Sequence, residues 1–270
     1  MPLPLLRDLF KRLDPQNPVA SAGARPYPAA RPQSGSKAPA VTPTMLDING
    51  RPVALEVRVS PRARRMLLRV DHKREVVVLT LPRAASQREG LRFALGQTAW
   101  IAARLAALPP RTSLAPGALV PILGVEHLVR HRPDARGTVW LEEGEIHVAG
   151  GIEFLPRRLS DYLRRRARQE IAARVAVHAA HVTKPVKGIT VRDTASRWGS
   201  CSPTGGLSFS WRLVLAPAAV LDYVVAHEVA HLAHFDHSPH FWGLVGEMID
   251  DVEGPRRWLR DHGAALHRFG

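Results

Sequence analysis

The sequence predicts an α+β fold, on three observations. Between Leu46 and about Gly151 the apolar residues come in short alternating runs of strand length, interrupted by a single amphipathic stretch. From Leu155 to His181, and again from Pro217 to Leu232, they recur at helical spacing. Between those two helices, Trp198 to Trp211 holds two strand-like arms around Pro203 to Gly206, the pattern of a β-hairpin. The chain therefore divides into a flexible Pro/Ala-rich segment over 1–44, a β-rich half with one helix over 45–151, and a second half over 152–270 that carries the long helices and the hairpin.

At the start, Leu5, Leu6, Leu9, Phe10 and Leu13 make a short amphipathic turn or two, too short to hold a helix alone and too interrupted by charge for a secretory signal. Residues 14 to 44 are Pro, Ala, Ser and Gly with few large apolar groups, which reads as a linker. Strands follow at 53–59, 66–70 and 76–81, and one helix at 87–107 is stopped by Pro109 and Pro110. Further strands fall at 119–123, 127–131, 139–141 and 145–148, and no internal repeat is visible. An Arg-rich helix spans 155–181, a strand spans 186–193, and the hairpin comes next. Pro217 suits a first helical turn, and Leu221, Val225, Val229 and Leu232 form an apolar stripe, so this helix reads as half-buried.

That helix carries His227, Glu228 and His231 in the spacing His-Glu-x-x-His. Two imidazoles four residues apart leave a helix on one face and can close on one zinc ion at roughly 2.0–2.1 Å. Glu228 stands beside such an ion, badly placed as a third ligand but well placed to take a proton from activated water. With 13 His in the chain, five of them crowded between His227 and His240, a bland set of core or surface histidines is the competing reading.

The third ligand is a question of geometry. His234 shares the helical face, but its Cα would sit about 7–8 Å along the axis from the first pair. His237 reaches the metal if the helix stops and the chain turns back. Phe235-Asp236 supplies a stop, and Ser238-Pro239 reads as the cap and first turn of a new helix. His237 is therefore preferred. Glu247 on that next helix is the runner-up, and Asp236 and His240 are weaker candidates.

Taken together, Trp198-Gly199-Ser200-Cys201-Ser202, the segment Leu207 to Leu213, Asp222-Tyr223 with His227 to Leu232, and His237-Ser238 with Phe241-Trp242 resemble the YgjP-type bacterial metallopeptidase family, a relative of the SprT-like and Wss-like zincins. The resemblance covers about 45–265 and is specific in its second half. Val229 stands where Leu is commoner, and Phe235-Asp236 precedes His237. It implies a zincin-like fold, one zinc per chain on His227, His231 and His237, and Glu228 as catalytic base for peptide or protein substrates. SprT-like kinship also implies a second activity, cleavage of DNA-associated proteins, and a non-catalytic zinc-stabilised module is a third reading. In a protease of this kind a sheet edge beside the zinc helix binds extended peptide by strand addition.

Tyr223, one turn before His227, either packs or serves the site by orienting a ligand or stabilising an oxyanion; packing is the favoured reading. Asp222 and Asp193 are candidate acceptors for the ligand rings. Cys201 is the only cysteine, which excludes an intramolecular disulfide and favours a cytoplasmic setting. A Cys–His nucleophilic enzyme is disfavoured because nothing near Cys201 would activate a thiolate. No apolar run approaches the ~20 residues of a membrane span. The net charge of +14 admits nucleic acid or acidic partners, through Arg62, Arg64 and Arg65, Arg164 to Arg166, and Arg256 and Arg257. Only five of the 38 basic residues are Lys, in an Ala- and Pro-rich chain, so part of that charge reflects compositional bias. Oligomeric state and substrate identity are not written in these features.

Overall fold

The computed structural model describes residues 44–71, 74–194 and 197–270; the N-terminal amphipathic segment and all but the last residue of the expected linker lie outside them. The fold is mixed α+β, with three sheets and six α-helices among the described residues. The contacts divide these residues into two compact units, 44–107 and 108–270.

In the first unit, β1 (Thr44–Ile48) and β2 (Arg51–Val59) form a hairpin, and β3 (Leu67–Asp71) and β4 (Val76–Leu81) form another. Their inner strands β2 and β4 run parallel, giving the order β1-β2-β4-β3. Strand β1 was not expected, although Asn49-Gly50 takes the two positive φ values, 55° and 80°, that a tight hairpin turn requires. The single helix expected over 87–107 is two, α1 (Gln87–Leu95) and α2 (Thr98–Ala106). Gly96 ends the first, since glycine in a helix interior costs about 1 kcal/mol relative to alanine. Ser86 and Glu89 close a reciprocal capping box at the start of α1. Both helices contribute to a core with Leu46, Leu55, Val77, Leu79 and Leu81.

The second unit begins by repeating the same sheet plan. Strands β5 (Leu119–Ile122), β6 (Val125–Arg132), β7 (Val139–Glu142) and β8 (Glu145–Ala149) take the order β5-β6-β8-β7, again two hairpins joined by a parallel inner pair. The repeat lies in topology and not in sequence, which is why residue comparison within the chain misses it. Helix α3 (Leu155–His178) buries Leu155, Leu159, Leu163, Ala167, Ile171 and Val175, an almost straight row at intervals of four. Each large member of that row contributes about 1.5–3 kcal/mol of burial. A third sheet follows, in which β10 (Gly199–Cys201) pairs antiparallel with β11 (Gly206–Ser210) and β11 pairs parallel with β9 (Gly188–Arg192). Strand β10 is thus an edge strand, order β10-β11-β9.

Helix α4 (Ala218–Ala230) was expected to be half-buried and is instead buried on nearly all sides, from Val220 and Leu221 through Tyr223 to Ala230. Helix α3, the hairpin, α5 (Pro239–Met248) and α6 (Glu253–Leu266) enclose it. Immediately before it, Leu123 N–H donates to the Val214 carbonyl at 2.7 Å, tying the β5–β6 turn to the segment that leads into the helix. Sheet β5–β8, α3 and α4 share one core.

Arg212, 1% exposed, lies in this core with its guanidinium over the Trp211 ring. It donates to the Asp193 carboxylate and, at 3.1 Å, to the Phe269 carbonyl. Asp193→Ala leaves that buried cation without its counter-charge and is expected to cost about 3 kcal/mol, read as a lowered urea midpoint.

Candidate metal centre

Helix α4 ends at Ala230, one turn earlier than Phe235-Asp236 would have ended it. The i→i+3 bonds from Leu232 N–H to the Val229 carbonyl and from Ala233 N–H to the Ala230 carbonyl tighten the last turn. The chain then reverses and enters α5, where Ser238 caps the new helix by accepting from Phe241 N–H at 3.4 Å, with Pro239 in the first turn. This reversal brings His237 back to the pair on α4. One ligand-type atom from each of His227, His231 and His237 lies within 4.8 Å of the others. The Nε2 atoms of His227 and His237 are 3.4 Å apart.

Each ring is held. His231 Nδ1 lies 2.9 Å from the His234 carbonyl, an arrangement in which Nδ1–H donates and Nε2 keeps its lone pair for a metal. Phe241 packs against all three imidazoles, with centroids at 5.0, 4.6 and 4.8 Å from His227, His231 and His237. Trp242 covers His227 and His237 at 5.9 Å. Burial, followed by the neighbouring imidazoles and the Arg256 charge, drives the His227 pKa well below its ordinary value, and burial also lowers that of His231. Both shifts favour the neutral ring, the form that ligates metal.

Glu228 sits on the same helix, 3% exposed. Desolvation pushes its carboxyl up to about 8, with the Arg197 charge opposing. Gly199 on β10 lies directly against it. A Cβ there would stand 2.5 Å from Glu228 Cγ and 2.6 Å from Oε1, so only glycine leaves the carboxylate its place. The edge strand and the glutamate are thus in contact.

The remaining candidates fall elsewhere. The His234 ring faces His240 at 6.2 Å, and its contribution to the triad is its backbone carbonyl, which a search for ligand side chains overlooks. Glu247 is exposed on α5 and lies outside the histidine cluster. Asp236 accepts from Ser238 N–H at 3.3 Å. Asp222 accepts from His178 Nε2 at 2.8 Å and pairs with Arg174 at 3.7 Å, bracing α4 against α3 and not holding a triad ring. Tyr223 is 1% exposed, with its ring 6.0 Å from that of His227. Its hydroxyl is buried without a hydrogen-bond partner among the described residues, and burial raises its pKa far above the ordinary phenol value. Burial likewise pushes the Cys201 thiol up to about 11, the reverse of what a nucleophilic cysteine needs.

Several of the basic clusters are engaged in the fold. Arg164 pairs with Asp193 at 3.8 Å and Arg166 with Glu170 at 2.8 Å, while Arg256 pairs with Glu253 and stacks over Trp242. Arg62, Arg64 and Arg65 are exposed in the loop between β2 and β3. No helix of the described residues is long and apolar enough to cross a membrane.

The YgjP-like metallopeptidase domain matches the chain over residues 64–262. No curated protein and no solved structure matches it.

Proposed function

Since the chain belongs to the YgjP-like metallopeptidase family, we propose that it hydrolyses peptide bonds with one zinc ion per chain, held by His227, His231 and His237, and with Glu228 as general base. The convergence of three imidazoles within 4.8 Å, beside a buried glutamate, carries this reading. The donor set fits zinc. Three imidazole nitrogens would leave room for a further ligand on the ion, as catalytic zinc sites do and closed structural sites do not. Zinc so held would supply a Lewis acid for the scissile carbonyl and would bring the pKa of water towards about 7.

The chain's own groups do the rest. Glu228 accepts the proton of the attacking water and returns it to the leaving amine. In an apolar pocket alone, its raised pKa would keep it protonated at neutral pH. Zinc held on the adjacent histidines would oppose that shift, because a nearby opposite charge favours the ionised form. The free edge of β10 receives the substrate backbone as an added strand, which sets the peptide across Glu228. Helix α4, the β10–β11 hairpin and the returning His237 together support a zincin-like arrangement.

Gly199→Ala tests this contact. The methyl displaces Glu228 by about an ångström, and a misplacement of that size can cost ~100-fold in rate. The variant is expected to keep its zinc and lose about that factor in kcat, measured on any peptide the parent cleaves. Identifying such a peptide is the first experiment, by cleavage profiling of a cell lysate with the parent against Glu228→Gln. Cleavage that depends on added DNA would assign the activity to DNA-associated proteins. A protein that binds zinc and cleaves nothing would be a zinc-stabilised module, which the buried Glu228 argues against because a structural site has no use for a base.

A further inference from the structure

We propose that this cleft takes acidic peptides, with Asp or Glu on both flanks of the scissile bond, because Arg197 and Lys184 stand at the two ends of the edge strand along which the peptide would lie. The inference rests on the peptidase reading above and names its substrate class.

Among the described residues strand β10 is paired on one side only, with β11; Ser200 and Cys201 are half-buried and Gly199 is buried. Arg197 lies two residues before the strand, exposed, with its carbonyl accepting from Thr194 Oγ1 at 2.8 Å. At the far end, Lys184 Nζ donates to the carbonyl of Pro203, two residues past the strand, at 2.8 Å. The same ammonium stands 5.1 Å from the ring of Phe235, on the loop that carries His237. Lys184 therefore bridges the hairpin turn and the metal-site loop, with two of its three N–H donors left for a ligand.

The three residues of β10 cover about 10 Å at ~3.3 Å per residue, the length of roughly three substrate residues, with Arg197 two residues before them and Pro203 two residues after. A peptide that runs past both ends of the strand meets a cation at each end. Among the described residues neither Arg197 nor Lys184 forms an ion pair. Phe235, 52% exposed, adds an apolar surface next to Lys184. The net charge of +14 favours encounter with acidic ligands in general.

The test separates binding from cleavage. Zinc-loaded Glu228→Gln protein is titrated into fluorescein-labelled octapeptide pools whose outer positions are fixed as Asp/Glu, Lys/Arg or Ser, at low salt, with anisotropy as readout. The acidic pool is expected to bind about tenfold tighter than the basic one, an effect of two exposed charge pairs that shrinks with added salt. In the Lys184→Glu/Arg197→Glu background the order inverts. Lys184→Ala and Arg197→Ala each weaken the preference, and Arg168→Glu, an equal change of charge on the exposed face of α3, leaves it intact. Equal binding of all pools, or inversion by Arg168→Glu alone, overturns the proposal. So does tighter binding of a six-nucleotide single strand than of the acidic pool. If the parent cleaves peptides with no acidic enrichment, the peptidase reading stands and this inference falls. If the acidic pool binds selectively but no peptide is ever cleaved, the peptidase reading falls and the acidic-peptide cleft remains.

Discussion

Glu228→Gln is expected to keep one zinc per chain and the native fold while hydrolysing peptides at least ~100-fold more slowly, the lower range for a removed general base. Glutamine has the same shape and fits the same space against Gly199, so the packing of β10 on α4 is preserved. It also relieves the burial of an ionisable group, so the variant is expected to be no less stable than the parent. What it lacks is the ability to accept a proton. Loss of zinc in this variant would make Glu228 a ligand and the mechanism wrong. Full activity on a cleaved peptide would place the chemistry elsewhere.

His237→Ala is expected to weaken zinc binding by more than ~100-fold, beyond the 10–100-fold typical of lost partners that only orient a ligand. His234→Ala is expected to change affinity little, because the group that holds His231 is the His234 backbone carbonyl, which the substitution keeps. Glu247→Ala, on the exposed side of α5, is expected to change it little as well. Competition with a chromogenic chelator ranks the three variants against the parent. Greater damage from Glu247→Ala or His234→Ala than from His237→Ala would reassign the third ligand and leave zinc hydrolysis in place.

The candidate site was readable where local rules apply. The i, i+4 spacing puts His227 and His231 on one face, and the cap-and-proline signal at Ser238-Pro239 marks the chain reversal on which His237 depends. What escaped was set by distant parts of the chain. Gly199 is a hairpin glycine until α4 is packed against it, and Phe241 is one more apolar residue until the turn carries it over three imidazoles. The full burial of α4 depends on neighbours drawn from α3, α5, α6 and the hairpin, which its own apolar stripe cannot register. In the first unit Asn49-Gly50 did announce a hairpin, but β1 is five residues long and directly follows the Pro/Ala-rich stretch, so its alternation is brief. The break between α1 and α2 rests on one glycine whose cost tertiary packing can override in either direction. Asp193, a candidate acceptor for the ligand rings, is engaged instead by Arg212, whose burial no local pattern reveals.

If three histidines of this chain hold one catalytic metal, elemental analysis of protein expressed with supplementary zinc and freshly purified will find it, in the parent compared with His227→Ala and His231→Ala. One zinc per chain is expected in the parent and none retained in either variant. A folded parent protein that carries no transition metal would contradict it.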